Sequence, residues 1–445
     1  MDDSDNTGAD KPSSAAPAAK HVAGPNAVRG IRSLKILKPL QNRDFAFLWS
    51  GMTVSLFGDG IYLVAIAWLV LRISNSPTAL GAVGVAWTIP QIVSLLWGGV
   101  ASDRFDRRKV MILADVTRGI PIAIIGILSL AGTIELWHVF VLVAIYGIGE
   151  GVFMPAFSSV VPDVVPRDQL IEANSLDQFV RPLALRFAGP ALGGLIIAAV
   201  GVGTAFVIDA ATFAFSALMI MSMRKASQER EIERSDSSTW RDVREGLSYV
   251  RGHAWLWITL LMTAVGLLVF YGPFHVLMPF LVKNSLGGDA RALGVVFAVG
   301  GVGAVLSALF MSHVGLPRRH LTFVYVSSAL GVLMLAAYGL SERLWHVALA
   351  SFAMEVALTA GLIVWTTLVQ IKVPGSLLGR VSSLDWIVST SLIPLSYGLA
   401  GPLSESIGIR STFLLTGTAG AIIVLAPLLS RRLRDAEREP LPALS

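Results

Sequence analysis

Twelve stretches of this chain are apolar over roughly the 20 residues that a helix needs to cross the core of a bilayer. They run over residues 46–72, 78–100, 110–132, 138–161, 176–200, 204–223, 255–282, 292–313, 321–340, 345–371, 381–404 and 411–430. The fifth and the eleventh begin with polar residues. Across all 445 residues, 54% are hydrophobic and 15% charged, against about 25% charged in a typical soluble domain. A soluble protein of this size has nowhere to hide so much apolar surface, whereas in lipid it need not be hidden. The expected fold is therefore an all-α polytopic membrane protein with twelve transmembrane helices.

Charge orients those helices. With both termini on one side, the tails and loops of that side hold 27 of the 35 Lys and Arg. The loops of the other side hold five: Arg72, Lys283, Arg291, Arg343 and Arg410. The basic side is the cytoplasmic one. Both termini and the segment 224–254 are thus expected in the cytoplasm, and the protein in the cell membrane. The N-terminal tail, residues 1–43, starts polar and rich in Ala, Ser, Pro and Asp. It reads as disordered, without the apolar core of a cleavable signal peptide, so targeting falls to the first helix. There is no Cys, which removes disulfides, thiolate metal sites and thiol catalysis. The net charge of +5 is spread through loops, with no basic patch interleaved with aromatics to hold a nucleic acid.

The chain also repeats itself. Leu136-Trp-His-Val139 recurs as Leu344-Trp-His-Val347, a shift of 208 residues. The same shift carries Val165, Pro166, Leu170, Ser175, Leu176 and Asp177 onto Val373, Pro374, Leu378, Ser383, Leu384 and Asp385. Several matches in order at one offset indicate an internal repeat. Two pseudo-symmetric six-helix halves result, residues 44–223 and 255–430, with a C-terminal tail at 431–445. The linker 224–254 begins polar, but from Trp240 to Val250 its apolar residues fall at helical spacing, which predicts an amphipathic helix.

The loop between the second and third stretches carries Gly99, Asp103, Arg104, Arg107 and Arg108 in the pattern G-x-x-x-D-R-x-x-R-R. It resembles the loop between helices two and three of major facilitator transporters, with Asp106 where the family has Gly. Residues 42–60, 76–81, 160–178 and 240–253 are similar to the branch that contains macrolide, tetracycline and enterobactin exporters. The resemblance covers about residues 40–430. It implies the major facilitator fold, and transport by rocking of two halves around a central cavity. It also implies that Asp103 and the loop arginines latch the halves on the cytoplasmic side. The matching loop of the second half keeps Arg318 and Arg319 without the acid, so the latch is asymmetric. Asp115 and Arg118, three residues apart, are expected to pair with each other or with that loop.

In the fifth stretch stand Gly189, Pro190, Gly193 and Gly194. Small residues let helices approach and Pro removes a backbone donor, so ordinary packing accounts for them. The G-P-x-x-G-G core is also similar to the fifth-helix motif of major facilitator exporters, with Leu176 and Leu185 where the longer pattern has Gly. That likeness implies export rather than import.

Charges inside the spans are the remaining signal. Asp59, Glu150 and Glu355 lie in the first, fourth and tenth stretches, and Arg186 in the fifth. Facing lipid, each costs several kcal/mol, so each is expected to face the bundle interior or a cavity. There they bind protons or substrate, or form permanent ion pairs. Arg186 is the expected counter-ion of Glu150 or Asp59. Asp209, near the end of the sixth stretch, is expected to reach water. Trp68, Trp87, Trp365 and Trp386 read as interfacial anchors or packing, with an apolar drug site as the alternative.

No G-x-x-x-x-G-K-[ST] loop is present, so ATP is not the expected energy source. No metal-ligand cluster or catalytic constellation stands out, so neither cofactor nor enzyme activity is expected. The expected function is secondary active export of small apolar or amphiphilic molecules, antibiotic- or siderophore-like, by a monomer using proton antiport and alternating access. The alternatives are a proton-coupled importer on the same fold, or a non-transporting membrane scaffold or sensor.

Overall fold

In the computed structural model of the chain the described residues are 35–224 and 239–438, with the side chains at 35, 36, 96, 99–104, 167, 171, 239–243 and 376 excepted. The expected disordered tail falls almost wholly outside them. So do the side chains of Asp103 and Arg104, and with them that part of the expected latch. Met1–Lys35 and Ile36–Ser445 are separate units, and every α-helix described belongs to the second.

Every regular element described is helical. The first group is α1 (Arg43–Ile73), α2 (Pro77–Arg104), α3 (Arg107–Ala131), α4 (Leu136–Val164), α5 (Leu170–Pro182), α6 (Gly189–Val200) and α7 (Val202–Ser222). The expected linker helix is α8 (Thr239–Gly252). The second group is α9 (Ala254–Gly272), α10 (Met278–Phe280), α11 (Ala290–Val314), α12 (His320–Gly339), α13 (Leu344–Lys372), α14 (Gly375–Thr390), α15 (Ile393–Ile407) and α16 (Ile409–Leu425), followed by α17 (Arg431–Arg438).

Among the described residues eleven helical runs are long and apolar enough to cross a membrane, and they coincide with eleven of the twelve expected stretches. The eleventh stretch differs. It is split into α14 and α15, 16 and 15 residues long, with a break at Ser391 and Leu392. Pro394 explains the break. In the first turn of α15 its missing N–H costs nothing, whereas a continuous helix would need that N–H for the carbonyl of Thr390. A hydroxyl takes up a carbonyl of the last turn of α14: Ser391 Oγ donates to Val388 O at 2.8 Å.

Proline shapes the fifth stretch as well. α5 and α6 are joined by a wider, π-type turn, Leu183–Ala188, in which the Gly189 N–H reaches back five residues to Ala184 O. Pro190 has no N–H to offer Arg186 O, so the ladder shifts by one residue. Arg186 lies in that turn.

The departure at Asp106 has a local reason. Asp106 is the N-cap of α3, its side chain accepting the Arg108 N–H at 3.0 Å. The internal repeat is visible in atoms. At the start of α4, His138 Nδ1 accepts the Glu135 N–H at 3.0 Å; at the start of α13, His346 Nδ1 accepts the Glu342 N–H at 3.3 Å.

Within the first group α2 packs on α4, and α3 and α1 on α7; within the second, α11 and α12 pack on α13, and α12 on α16. Two seams join the groups, α2 along α15 and α6 along α11. At the second seam the backbones nearly touch: a Cβ on Gly194 would stand 3.0 Å from Gly294 Cα. On its other face α6 meets α1, where a Cβ on Gly60 would lie 2.8 Å from Gly189 Cα. The expected exporter motif is thus the contact surface of α6 toward both of its neighbours.

The end of the bundle that bears Arg43 and Arg431 is tied within each group. Lys38 pairs with Asp168 at 3.3 Å, Arg107 with Asp163 at 2.7 Å, and Arg380 with Glu245 of α8 at 2.5 Å. At the far end the ties cross between groups. Lys283 Nζ donates to Leu71 O at 2.9 Å, Ser76 Oγ to Glu405 Oε1 at 3.1 Å, and Asn284 Nδ2 to Asn75 Oδ1 at 3.3 Å.

Candidate functional site

A cavity of about 670 Å³ lies between the two groups of helices. Its wall runs from Met52, Met154 and Arg181 to Tyr62, Trp87 and Tyr397. Tyr397 fits against α2 because Gly81 and Gly84 have no side chain to block it. Most of the wall is aliphatic and aromatic, so a ligand inside is stripped of water on most sides.

The four mid-span charges singled out in the sequence all line this cavity. Glu150, on α4, accepts the Trp87 indole N–H at 2.6 Å. Asp59, on α1, accepts the Tyr146 hydroxyl at 3.0 Å. Tyr146 is held in turn by stacking on Tyr62, with centroids 4.8 Å apart. Both donors are neutral, and among the described residues neither carboxylate forms an ion pair. A carboxyl held in this way keeps its partner whether or not it carries a proton.

Arg186 departs from expectation. Its partner is neither Glu150 nor Asp59 but Glu355, with Nη1 at 2.7 Å from Oε2. The π-type turn before α6 packs on Gly301 of α11 and turns the guanidinium to Glu355, which lies over the neighbouring Gly300 from α13 in the second group. No local pattern connects residues 169 positions apart in the chain.

Asp115 and Arg118 do pair with each other, as one of the two expected arrangements had it, and both are buried. The Arg118 guanidinium also lies 4.1 Å from the Phe153 ring centroid and 4.6 Å from that of Phe213. Asp209 does not reach water. It is 0% exposed, packed against Gly58, with Thr212 Oγ1 at 3.4 Å from its Oδ1. Its position near the end of a stretch is misleading, because α3 and α1 cover that face of α7.

The loop motif serves the first group. Arg107 Nη1 donates to Ser159 O at 2.9 Å besides its pair with Asp163, and Arg108 Nε donates to Ile220 O at 2.7 Å while its Nη2 reaches Met221 O. These arginines bind the end of α4 and the last carbonyls of α7.

Trp87, Trp365 and Trp386, for which a drug site was the alternative reading, line the cavity, and two further participants, Tyr146 and Asp385, were not among the candidates. Trp87 and Tyr146 hold the cavity carboxylates, and tryptophan in a span reads first as an anchor. Asp385 lines the cavity and accepts the Trp365 indole N–H at 3.0 Å. The repeat had already aligned it with Asp177, which the first group uses for an ion pair with Arg181 at 3.0 Å.

The profile of the transmembrane secretion effector family matches residues 35–444 of the chain. Macrolide efflux protein A of Streptococcus pyogenes is 24% identical over 391 residues, covering 87% of this chain and 96% of that protein. The multidrug efflux pump Tap of Mycolicibacterium fortuitum is 28% identical over 399 residues, covering 85% and 94%. Among solved structures, a mutant of the nucleoside transporter NupG superposes with a TM-score of 0.68 at 12% identity, over 90% of this chain and 100% of that one. A bacterial homologue of the human lysosomal transporter Spinster, inward-facing and unoccupied, superposes at 0.62 and 16% identity, over 92% and 99%. These likenesses to solved structures concern the fold. The chain belongs to the transmembrane secretion effector family of the major facilitator superfamily: it is a multi-pass membrane transporter of small molecules, and not an enzyme.

Proposed function

We propose that the chain is a secondary active exporter of small apolar or amphiphilic molecules, driven by protons moving inward. Both termini and the linker 224–254 then lie in the cytoplasm, in keeping with the 27 to five split of basic residues. Residues 44–223 and 255–430 act as the two bodies that rock. One copy suffices, since the cavity is built from one chain.

The observation that carries the reading is the pair of cavity carboxylates that, among the described residues, form no salt bridge. Glu150 and Asp59 are held by an indole and a phenol, at 2.6 Å and 3.0 Å. Such groups gain and lose a proton as water reaches the cavity from one side and then the other. A carboxylate locked to an arginine does that less readily, which sets Glu355 apart from the other two. The apolar wall suits an apolar ligand body. The efflux proteins among the relatives support export as the direction.

Reconstituted vesicles test the reading. With the tail side outward and a proton gradient acidic inside, a lipophilic fluorescent dye should accumulate inside. Dye driven out under that gradient would establish import instead, and a lack of gradient-dependent dye movement would favour the scaffold.

A further inference from the structure

Asp385 is a further carboxylate lining the cavity. It stands on α14 in the second group of helices, whereas Asp59 and Glu150 stand in the first. Its Oδ2 accepts the Trp365 indole N–H at 3.0 Å, and its Oδ1 accepts the Ser389 hydroxyl at 3.1 Å. Among the described residues no cation pairs with it. The arginines that line the cavity are engaged elsewhere: Arg186 with Glu355, Arg181 with Asp177 and Arg118 with Asp115. Lys372, the basic residue near Trp365, turns its amine to Ala436 O at 2.8 Å and to the Trp255 ring at 5.6 Å.

The surroundings of Asp385 are aromatic. Trp365 and Trp386 both line the cavity, and Trp386 is 46% exposed. Trp255 meets Trp365 edge-on, with centroids 6.0 Å apart, which fixes the Trp365 ring. A carboxylate without a salt bridge, bound to the Trp365 indole and one residue from Trp386 in the same cavity wall, favours one kind of guest. A lipophilic cation gains the charge of the carboxylate and the quadrupole of the rings, and loses little water because little is bound to it. An anion of the same shape gains neither and meets a like charge.

We propose that Asp385, Trp365 and Trp386 form a subsite for the cationic end of the transported molecule, a protonated or quaternary amine on an apolar body. This deepens the export reading and rests on the cavity being the transport site. It does not rest on the direction of transport or on the coupling ion. The substrate cation and the coupling proton sit on different carboxylates, in different groups of helices. Their linkage then runs through rearrangement of the groups rather than through competition for one acid.

The test is equilibrium binding to the full chain in lipid nanodiscs, with empty nanodiscs as background and no gradient. Tetraphenylphosphonium and tetraphenylborate are the probes, close in size and opposite in charge. The protein should prefer the cation. Asp385→Asn keeps the shape and an acceptor for Trp365 but removes the charge, and should weaken tetraphenylphosphonium by about tenfold or more. Asp385→Glu should restore most of that affinity. Trp386→Leu, half-exposed and safe for folding, should weaken the cation several-fold without affecting the borate. Equal affinity for the two ions in the unaltered protein, or unchanged cation affinity in both Asp385→Asn and Trp386→Leu, overturns the proposal. Because no gradient is used, failure of proton-coupled export leaves this result standing, and the reverse also holds.

Discussion

Arg186 Nη1 and Glu355 Oε2 stand 2.7 Å apart, and that contact bridges the cavity from the turn before α6 to α13. It adds a charged tie beside the seam where the backbone of Arg186 already packs on Gly301 of α11. Arg186 is about half exposed to the cavity, so water screens part of the attraction. Removing one partner leaves the other charge in an apolar chamber, at a cost of about 1–2 kcal/mol. Arg186→Gln alone should lower the melting temperature in detergent more than the double change with Glu355→Gln does. Transport should stay impaired in the double variant, because the bridge between the groups is gone. Equal melting in single and double variants would show that the pair is not coupled.

The seam between α6 and α11 leaves no room for a side chain. A Cβ at Gly194 would meet Ala290 O at 2.7 Å and Gly294 Cα at 3.0 Å, both backbone atoms that cannot rotate away. Gly194→Ala should therefore destabilise by about 1–3 kcal/mol and slow turnover. Gly252→Ala, which meets nothing within 4 Å, should do neither. Transport normalised to expression, with melting alongside, compares the two. Comparable behaviour would mean that the seam adapts.

Arg108 closes the end of α7. Its guanidinium spans two carbonyls, Ile220 O at 2.7 Å through Nε and Met221 O through Nη2. Arg108→Ala frees both, at about 1–2 kcal/mol. Arg108→Lys should recover less than half of that, because a single ammonium lacks the planar fork. Full recovery by lysine in thermal melting would reduce the contact to one of charge.

Orientation is open to direct measurement. Reporters fused after Arg224 and Arg434 should be active only if they function in the cytoplasm. Activity of a reporter that works only outside, at either position, would reverse the placement drawn from the basic loops.

Much of the fold was legible because lipid enforces it. Among the described residues, eleven of the twelve apolar stretches are helices long and apolar enough to cross a membrane, as a chain in lipid must satisfy its backbone within each segment. The exception shows the limit. A hydropathy run does not register that Pro394 cannot continue the ladder of α14, so a broken element reads as a whole one. Asp115 and Arg118 were legible because three residues on a helix is a local distance. Glu355 was not legible as the partner of Arg186, because that pairing depends on how two groups of helices face each other. Asp209 shows the same dependence: depth along a span does not reveal which face a neighbour covers. Trp87 looked like one more membrane tryptophan until its N–H was found on Glu150.

Glu150 is the proposed carrier of the coupling proton. Glu150→Gln keeps the size of the side chain and an acceptor for Trp87, and an amide cannot take up and release the proton. The measurement is proton release from the acidified lumen of everted vesicles when substrate is added, followed with a pH-sensitive dye. Glu150→Gln should lose most of that release while still binding substrate. Undiminished release in Glu150→Gln would move the role to Asp59 or Glu355, and undiminished release in Glu150→Gln, Asp59→Asn and Glu355→Gln alike would contradict antiport coupled through these three carboxylates.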